Sequence, residues 1–198
     1  AQYALGRWLS ESSSGELGVE EALAWFKKAA ETGYPKAQFE LATLYELGGY
    51  HGQDAREALR WYREAEKHGE VRARLRVGRL LRAAASSADD FEEAREWFVK
   101  ADSAGDNLAK FYIGEMYFLG EGGPEDPSIG FAWTKRMISL EPNLFPNLVE
   151  FALNGSLFAQ LTIARTYAVE DSGFYDLTKA FDWFLTAALQ GDVLAARE

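Results

Sequence analysis

The segment WFKKAAETGYPKAQFELATLY, from Trp25 to Tyr45, decides the fold because its pattern returns along the chain at a fixed distance. Successive tryptophans lie 36, 36, 36 and 50 residues apart, and the longest gap equals one period of 36 residues plus an insertion of 14. Such a repeat is typical of solenoids, in which each unit buries its apolar face against its neighbours. The two periodic series are Trp25, Trp61, Trp97, Trp133 and Trp183, and Gly33, Gly69, Gly105, Gly155 and Gly191.

Each unit holds two helical patterns joined by a glycine turn. The second helix of a unit reads Ala-x-x-Trp-aromatic-x-x-Ala, as in Ala22, Trp25, Phe26 and Ala29. Spacings of three and four residues place the alanines and the tryptophan on one helix face, so we predict that the tryptophans form the core. The glycine that follows, here Gly33, ends the helix in a left-handed conformation, and the next helix starts at once.

These patterns also predict helix boundaries and capping residues. Pro35 suits a first helical position, and an Asp or Ser before a helix can accept hydrogen bonds from its free backbone N–H groups. The predicted helices span 1–9, 19–32, 36–47, 55–67, 71–83, 90–102, 107–119, 128–140, 156–168, 177–189 and 192 onward. The predicted N-terminal capping residues are Asp54, Asp90, Asp106, Asp126, Ser156 and Asp192.

The predicted fold is all-α: a right-handed α/α superhelix (solenoid) of about five 36-residue helix-turn-helix repeats with one 14-residue insertion. We expect residues 1–198 to form a single repeat domain and, because both ends fall inside a first-helix pattern, to be a fragment of a longer array. The insertion, near 142–154, is apolar and contains two prolines, which predicts a turn and a short helix. It either packs as an extra helix or docks a partner or a second copy.

The composition excludes several classes of protein. With 31 acidic and 21 basic residues the net charge is −10, so we expect no nucleic-acid partner. No apolar run approaches the roughly 18 residues of a bilayer span, so we expect no direct membrane insertion. Because there is no cysteine, there is no disulfide framework and no thiolate nucleophile. The compartment stays unknown, cytoplasm or periplasm and cell envelope, since any leader would lie outside this fragment.

The segment EVRARLRVGRLLRA, residues 70–83, is unusually basic for an acidic protein. Four of its arginines are spaced by four and three residues, so they form a stripe on one helix face. Such a row of guanidinium groups can hold the carboxylates of an acidic peptide or of a chain terminus. Alternatively, these arginines only pair with Glu46 and Glu115 on neighbouring helices. The arginine stripe consists of Arg72, Arg76, Arg79 and Arg82.

Catalytic and metal-binding patterns do not stand out. The two histidines, His51 and His68, have no patterned partner, so neither a Ser-His-Asp set nor a metal site is indicated. The stretch GEGG, from Gly120 to Gly123, lacks the lysine and the spacing of a phosphate loop. We therefore expect no enzymatic activity, no cofactor and no metal.

The repeats resemble the Sel1-like repeat family, relatives of the tetratricopeptide repeats with units of about 36 residues. The residues that carry the resemblance are the opening segment, GGYHGQDAREALRWYREAEKHG from Gly48 to Gly69, and GEGGPEDPSIGFA from Gly120 to Ala132. The pattern departs from the family at 84–89 and 134–155. The resemblance implies a scaffold or adaptor that binds other proteins, often in bacterial envelope, secretion or signalling settings.

The resemblance also implies a binding groove, if the tetratricopeptide frame carries over. First-helix side chains would face this concave groove, with Tyr3 and Arg7 among them. Aromatic and arginine side chains together are typical of interface hot spots. The residues that we predict to bind the partner are Arg72, Arg76, Arg79, Arg82, Phe39, Glu46, Phe111, Glu115, Phe118 and Arg165.

Three functional hypotheses follow. The first is a non-enzymatic protein–protein interaction scaffold or adaptor that holds a protein or peptide, with an acidic segment as one candidate, in the groove of the α-solenoid. The second is a cell-envelope hydrolase or carbohydrate-binding module that uses the acids and aromatic residues of the groove. The third is self-association through the open helical ends or the apolar insertion.

Overall fold

The chain folds into helices joined by short turns. A computed structural model describes residues 1–12, 16–48 and 53–190. The helices of this part are α1 (Gln2–Ser12), α2 (Glu16–Glu31), α3 (Pro35–Leu47), α4 (Ala55–Lys67), α5 (Ala73–Ala84), α6 (Ala88–Ser103), α7 (Ala109–Leu119), α8 (Pro127–Leu140), α9 (Phe145–Leu153), α10 (Leu157–Ala168) and α11 (Leu177–Leu189), with 3₁₀ turns at Pro142–Leu144 and Glu170–Ser172.

The predicted helices are confirmed across the described residues, most with ends shifted by up to three residues. The insertion forms a 3₁₀ turn followed by a separate short helix, α9, as its prolines predicted. The helix predicted from 192 onward lies outside the described residues, as do Gly191, Asp192 and His51.

Four turns between consecutive helices close with the same two backbone hydrogen bonds. At the first, the N–H of Gly33 donates to the carbonyl of Ala30 (2.9 Å), and the N–H of Tyr34 donates to that of Ala29 (3.2 Å). The glycine has a φ of 81°, a left-handed conformation that a side chain disfavours. The same pair of bonds recurs at Gly69, Gly105 and Gly155. The glycine period predicted these turns, and they are confirmed.

The capping predictions hold in part. Asp54, Asp126 and Ser156 each accept hydrogen bonds from backbone N–H groups at the start of a helix, as predicted. The prediction for Asp90 is wrong, because Ser87 caps α6 and Asp90 sits three residues later, where its carboxylate binds the N–H of Ser87. These two residues form a capping box. Asp106 is also not a cap, since α7 begins later, after Leu108.

In the first unit, the aromatic residue that follows each periodic tryptophan lies in the core, with small residues around it. Phe26, Tyr62 and Phe98 are fully buried or nearly so. Trp61 is buried as predicted. The core prediction holds only in part for the other periodic tryptophans: Trp25, Trp97 and Trp183 are half-buried and pack against the buried core, and Trp133 is half-buried. Helix residues one apart differ by about 100° in direction, so the tryptophan takes the edge of the apolar face and the next residue takes its centre.

A buried glutamine joins consecutive helices at two places. The Nε2 of Gln38, in α3, donates to the carbonyl of Ala30 in α2 at 3.1 Å. The Nε2 of Gln160, in α10, donates to the carbonyl of Ala152 in α9 at 3.0 Å. Both bonds reach back eight residues across a glycine turn, so α9 meets α10 through the same contact as α2 meets α3. We call these contacts the glutamine joints.

The insertion packs as an extra helix, which is one of the two alternatives that the sequence left open. Phe145, Leu148 and Ala152 of α9 are buried, and the ring of Phe151 stacks on that of Phe111 with centroids 4.5 Å apart. Helix α9 packs against α10. Its apolar residues are therefore mostly core, although Leu153 is exposed.

The described residues fall into two compact units, residues 1–106 and residues 107–198. In the first, α1 packs on α2, α2 on α3, α3 on α4, α4 on α5 and α5 on α6. In the second, α7 packs on α8, α9 on α10, and α10 on α11. In the described parts of both units, all regular secondary structure is helical. The single repeat domain expected from the sequence stays a prediction.

Candidate functional site

The first unit contains a cleft of about 670 Å³. Helices α1, α2 and α3 and the turn before α5 provide its walls. Tyr3, Arg7 and Arg72, which the sequence placed at groove positions, line it together with six further residues. The complete lining is Tyr3, Arg7, Ser10, Phe26, Lys36, Glu40, Glu70, Val71 and Arg72.

An ion pair between a buried carboxylate and an exposed arginine forms one part of the cleft wall. The side chain of Glu70 is only 9% exposed, and Arg72 donates to both of its oxygens, Nε to Oε1 at 2.7 Å and Nη2 to Oε2 at 2.9 Å. These hydrogen bonds hold the pKa of Glu70 below its usual value, so the carboxylate is charged at neutral pH. The guanidinium of Arg72 also lies over the ring of Phe39, 4.4 Å from its centroid. The cationic wall is therefore fixed in place before any partner arrives.

Another part of the cleft lining is aromatic, and its polar group is the hydroxyl of Tyr3. The ring of Tyr3 packs against Phe26 and Tyr34, with centroid distances of 5.9 and 5.1 Å. Burial, with a further contribution from the carboxylate of Glu40, raises the pKa of the Tyr3 hydroxyl. The phenol is therefore neutral at physiological pH, and it can both donate and accept a hydrogen bond.

The second arginine of the stripe belongs to an intramolecular network. Arg76 Nη1 lies 3.4 Å from Glu46 Oε1, across the space between α5 and α3. The hydroxyl of Tyr62 donates to Glu46 Oε2 at 2.6 Å and lies 3.0 Å from Thr43 Oγ1. Arg76 and Glu46 thus form the ion pair that the alternative interpretation of the stripe expects. Arg79 of α5 is exposed.

Four of the predicted groove residues belong to the second unit. Phe111 and Phe118 are buried in its hydrophobic core. Glu115 accepts a hydrogen bond from Ser156 Oγ at 2.6 Å. The guanidinium of Arg165 lies 4.1 Å from the centroid of the Phe131 ring, and burial lowers its pKa. Each of these side chains therefore has a role inside the unit, and their binding role stays a prediction.

Sequence reasoning missed several residues of the cleft. Lys36 and Glu40 lie one helical turn apart on α3, on either side of the predicted groove residue Phe39, so this spacing could have revealed them. The partner of Arg72 was harder to find. Glu70 and Arg72 precede α5, which begins at Ala73, so helical spacing rules do not apply to the pair.

The described residues contain neither a metal-binding cluster nor a helix that could span a membrane. Across residues 1–12, 16–48 and 53–190, no group of three His, Asp or Glu side chains is arranged to hold a metal ion. The ring of His68, at the end of α4, places Nδ1 2.9 Å from Gln38 Oε1 of α3 and 2.9 Å from the carbonyl of Glu64 in α4 itself. None of the helices described combines the length and the apolar character that a membrane span needs.

Comparison with known protein families identifies the family to which the repeats belong. The Sel1 repeat matches residues 1–34, 35–70, 73–106, 107–141 and 170–192. The chain belongs to the Sel1 repeat family. The matches pass over residues 142–169. This range holds the insertion, where the sequence pattern also departs from the family, and α10, which keeps the first-helix pattern. Sel1 repeat proteins are generally protein-interaction scaffolds.

Solved structures of bacterial proteins show the same fold. A Sel1 repeat protein from Oxalobacter formigenes is 29% identical, with 98% of this chain and 74% of that one covered and a TM-score of 0.63. The protective antigen c5321 of uropathogenic Escherichia coli, which displays an SLR fold, is 26% identical with a TM-score of 0.65. That match covers 98% of this chain and 38% of c5321, so the chain spans less than half of its length.

A third structure shares the fold alone. The immunity protein Pa5087 from Pseudomonas aeruginosa is 20% identical, with 98% of this chain and 68% of that one covered and a TM-score of 0.50. A comparison with curated proteins found no match. The predicted fold class, an all-α solenoid of Sel1-like repeats, is confirmed by the family match and by these structures.

Proposed function

We propose that this chain is a non-enzymatic interaction module that holds a protein or peptide partner against its first unit. The observation that carries the proposal is the cleft, where the guanidinium of Arg72 is fixed between a buried carboxylate and an aromatic ring. A cation held in this way loses little side-chain entropy when a partner binds. Membership of a family of interaction scaffolds supports the same function.

The charge distribution favours a partner with negative groups. The protein has a net charge of −10, yet α5 and the turn before it carry five arginines. Opposite charges on a partner would be attracted to this region and repelled elsewhere, which gives the encounter an orientation. Arg72 and Arg79 are the exposed residues of the stripe, and Arg79 lies outside the cleft lining. Binding should accordingly weaken as the salt concentration rises.

The experiment compares three immobilised proteins in a lysate of the source cell. Wild type, Arg79→Glu and Arg136→Glu are tested, and the retained proteins are identified by mass spectrometry. Arg136 is an exposed arginine of α8 in the second unit, so it provides the same charge change away from the stripe. We expect one or more proteins to be retained by wild type and by Arg136→Glu, to be lost with Arg79→Glu, and to elute with salt.

Two results would count against the proposal. If the retained set is the same for all three proteins, the arginine stripe does not bind the partner. If nothing is retained by wild type, the chain does not act as an interaction module under these conditions of test. Circular dichroism of each variant verifies that the helices are intact.

The hydrolase or carbohydrate-binding alternative stays a sequence prediction. The groove acids Glu46 and Glu115 each accept a hydrogen bond from a neighbouring side chain. Two of the periodic tryptophans, Trp25 and Trp97, have a lysine ammonium 4.5 Å from the ring centroid, so an intramolecular cation occupies the position where a sugar would stack. Self-association likewise stays a prediction.

A further inference from the structure

The charged side chains that line the cleft have a net positive charge that one negative group would neutralise. Three cations, Arg7, Lys36 and Arg72, face two carboxylates, Glu40 and Glu70, which gives the lining a net charge of +1. We propose that this cleft binds the free C-terminal carboxylate of a peptide whose last side chain is apolar. This inference rests on the proposed interaction function and specifies the partner.

The ion pair between Glu70 and Arg72 limits which cations of the cleft are left to neutralise a ligand charge. Glu70 takes two of the five N–H donors of Arg72, and the pair is neutral as a whole. The remaining charges of the lining are those of Arg7, Lys36 and Glu40. A single carboxylate balances them, and the guanidinium of Arg72 can add a donor to it because its position is already fixed.

A chain terminus fits this lining better than a run of acidic side chains. Several neighbouring carboxylates would exceed the net charge of +1 that the lining carries, and like charges in a partly enclosed site oppose each other strongly. The terminal residue of a peptide carries one carboxylate only. It also carries an amide N–H, for which the hydroxyl oxygen of Ser10 offers an acceptor.

The apolar wall of the cleft specifies the last side chain. Phe26 is 2% exposed and forms the floor between α1 and α3, with the ring of Tyr3 packed on it. Val71 faces the same space and is exposed. A leucine, valine or phenylalanine side chain would bury apolar surface against the ring of Tyr3 and the side chain of Val71.

The test uses two mixtures of N-acetylated heptapeptides, each randomised at six positions and ending in leucine. One mixture has free C-terminal acids and the other has C-terminal carboxamides. Each is passed over the immobilised full chain, and the retained peptides are sequenced by mass spectrometry. Fluorescence anisotropy then gives the Kd of individual labelled sequences. We expect the acids to be retained, and each to bind at least roughly tenfold more tightly than its own carboxamide.

A pair of lysine variants tests the location. Lys36→Glu reverses a charge of the cleft, and Lys27→Glu makes the same change at an exposed position of α2 outside it. Lys36 follows Pro35 in the first turn of α3, where an acidic residue is favourable to the helix, so the fold should tolerate the variant. We expect Lys36→Glu to weaken binding of the acids at least roughly tenfold and Lys27→Glu to leave the Kd unchanged within a factor of two.

The outcomes separate this inference from the proposed function. Equal retention of acids and carboxamides overturns the terminal carboxylate but leaves a peptide-binding module. Retention of neither mixture, together with a lysate partner that depends on Arg79, also overturns the inference alone. Retention of neither mixture and of no lysate partner overturns both. Acids that bind Lys36→Glu as well as wild type place the terminus elsewhere on the chain, which contradicts the assignment to this cleft.

Discussion

Replacing Tyr62 by phenylalanine removes one oxygen atom from the centre of the first unit. The ring is fully buried, and its hydroxyl donates to Glu46 Oε2 at 2.6 Å. The acceptor is a carboxylate whose side chain is only 15% exposed and whose other described donor, Arg76, lies at 3.4 Å. Because phenylalanine keeps the shape of the ring, the loss is that of a hydrogen bond to a charged group, about 1.5–3 kcal/mol. We expect Tyr62→Phe to lower the free energy of unfolding by this amount.

The measurement is urea unfolding followed by tryptophan fluorescence and circular dichroism. Four of the six tryptophans, Trp61 beside the mutated residue among them, lie in the first unit, so the fluorescence reports mainly on that unit. The chain has two compact units, so the two probes must be fitted separately if their transitions do not coincide. Tyr45→Phe, at a half-buried tyrosine of α3 in the same unit, is the matched control and should change the free energy by no more than about 0.5 kcal/mol.

A double-mutant cycle identifies the partner. In a Glu46→Gln background the charged acceptor is gone, so Tyr62→Phe should cost about 1 kcal/mol or less, the value of a neutral hydrogen bond. A loss below about 0.5 kcal/mol in the wild-type background would refute the reasoning, because the carboxylate would then be satisfied without the phenol. An equal loss in both backgrounds would show that Glu46 is not the partner that matters.

Three further changes test other parts of the structure. In Gly114→Ala the new Cβ would lie 2.6 Å from a carbonyl oxygen of α8, so we expect a loss of about 1–3 kcal/mol in urea unfolding instead of the usual helical gain of about 1 kcal/mol; a stabilised variant would contradict this. The lowered pKa of Glu70 means that its contribution is present above its unfolded pKa of about 4.5 and is lost as the pH falls through its folded value. The stability difference between wild type and Glu70→Gln should therefore shrink on acidification, and a difference independent of pH would rule out Arg72 as the cause. Phe151→Ala removes the ring stacked on Phe111 and should cost about 3 kcal/mol or somewhat more; if thermal unfolding is unchanged, α9 is not part of the core.

The sequence period was sufficient to predict the helices and turns, because glycine and the apolar pattern act locally. It was not sufficient to choose between neighbouring aromatic residues. Trp97 and Phe98 both border the apolar face of α6, and only the packing of adjacent helices decides which is central. The structure buries the phenylalanine against Gly78, where an added Cβ would lie 2.7 Å from its ring. The indole, which is larger and carries an N–H, takes the edge.

The cleft was predictable only in outline. The groove frame pointed to Tyr3, Arg7 and Arg72 because it assigns certain positions of each first-helix pattern to the groove. The interaction that fixes Arg72 lies in a turn, between residues two apart, where no periodic rule selects a partner. The burial of Glu70, whose side chain is 9% exposed, is a property of the folded unit.

The glutamine joints bear on how repeats of this kind recombine. In both joints the glutamine bonds to a backbone carbonyl of the preceding helix, a group that every residue offers. The preceding helix is therefore free to vary in sequence, and α2 and α9 do differ while keeping the same bond. A helical segment can be exchanged at such a junction provided that the turn glycine and the glutamine move together. The inserted α9 is an example, because the helix after it, α10, makes the same glutamine bond to α9 that α3 makes to α2.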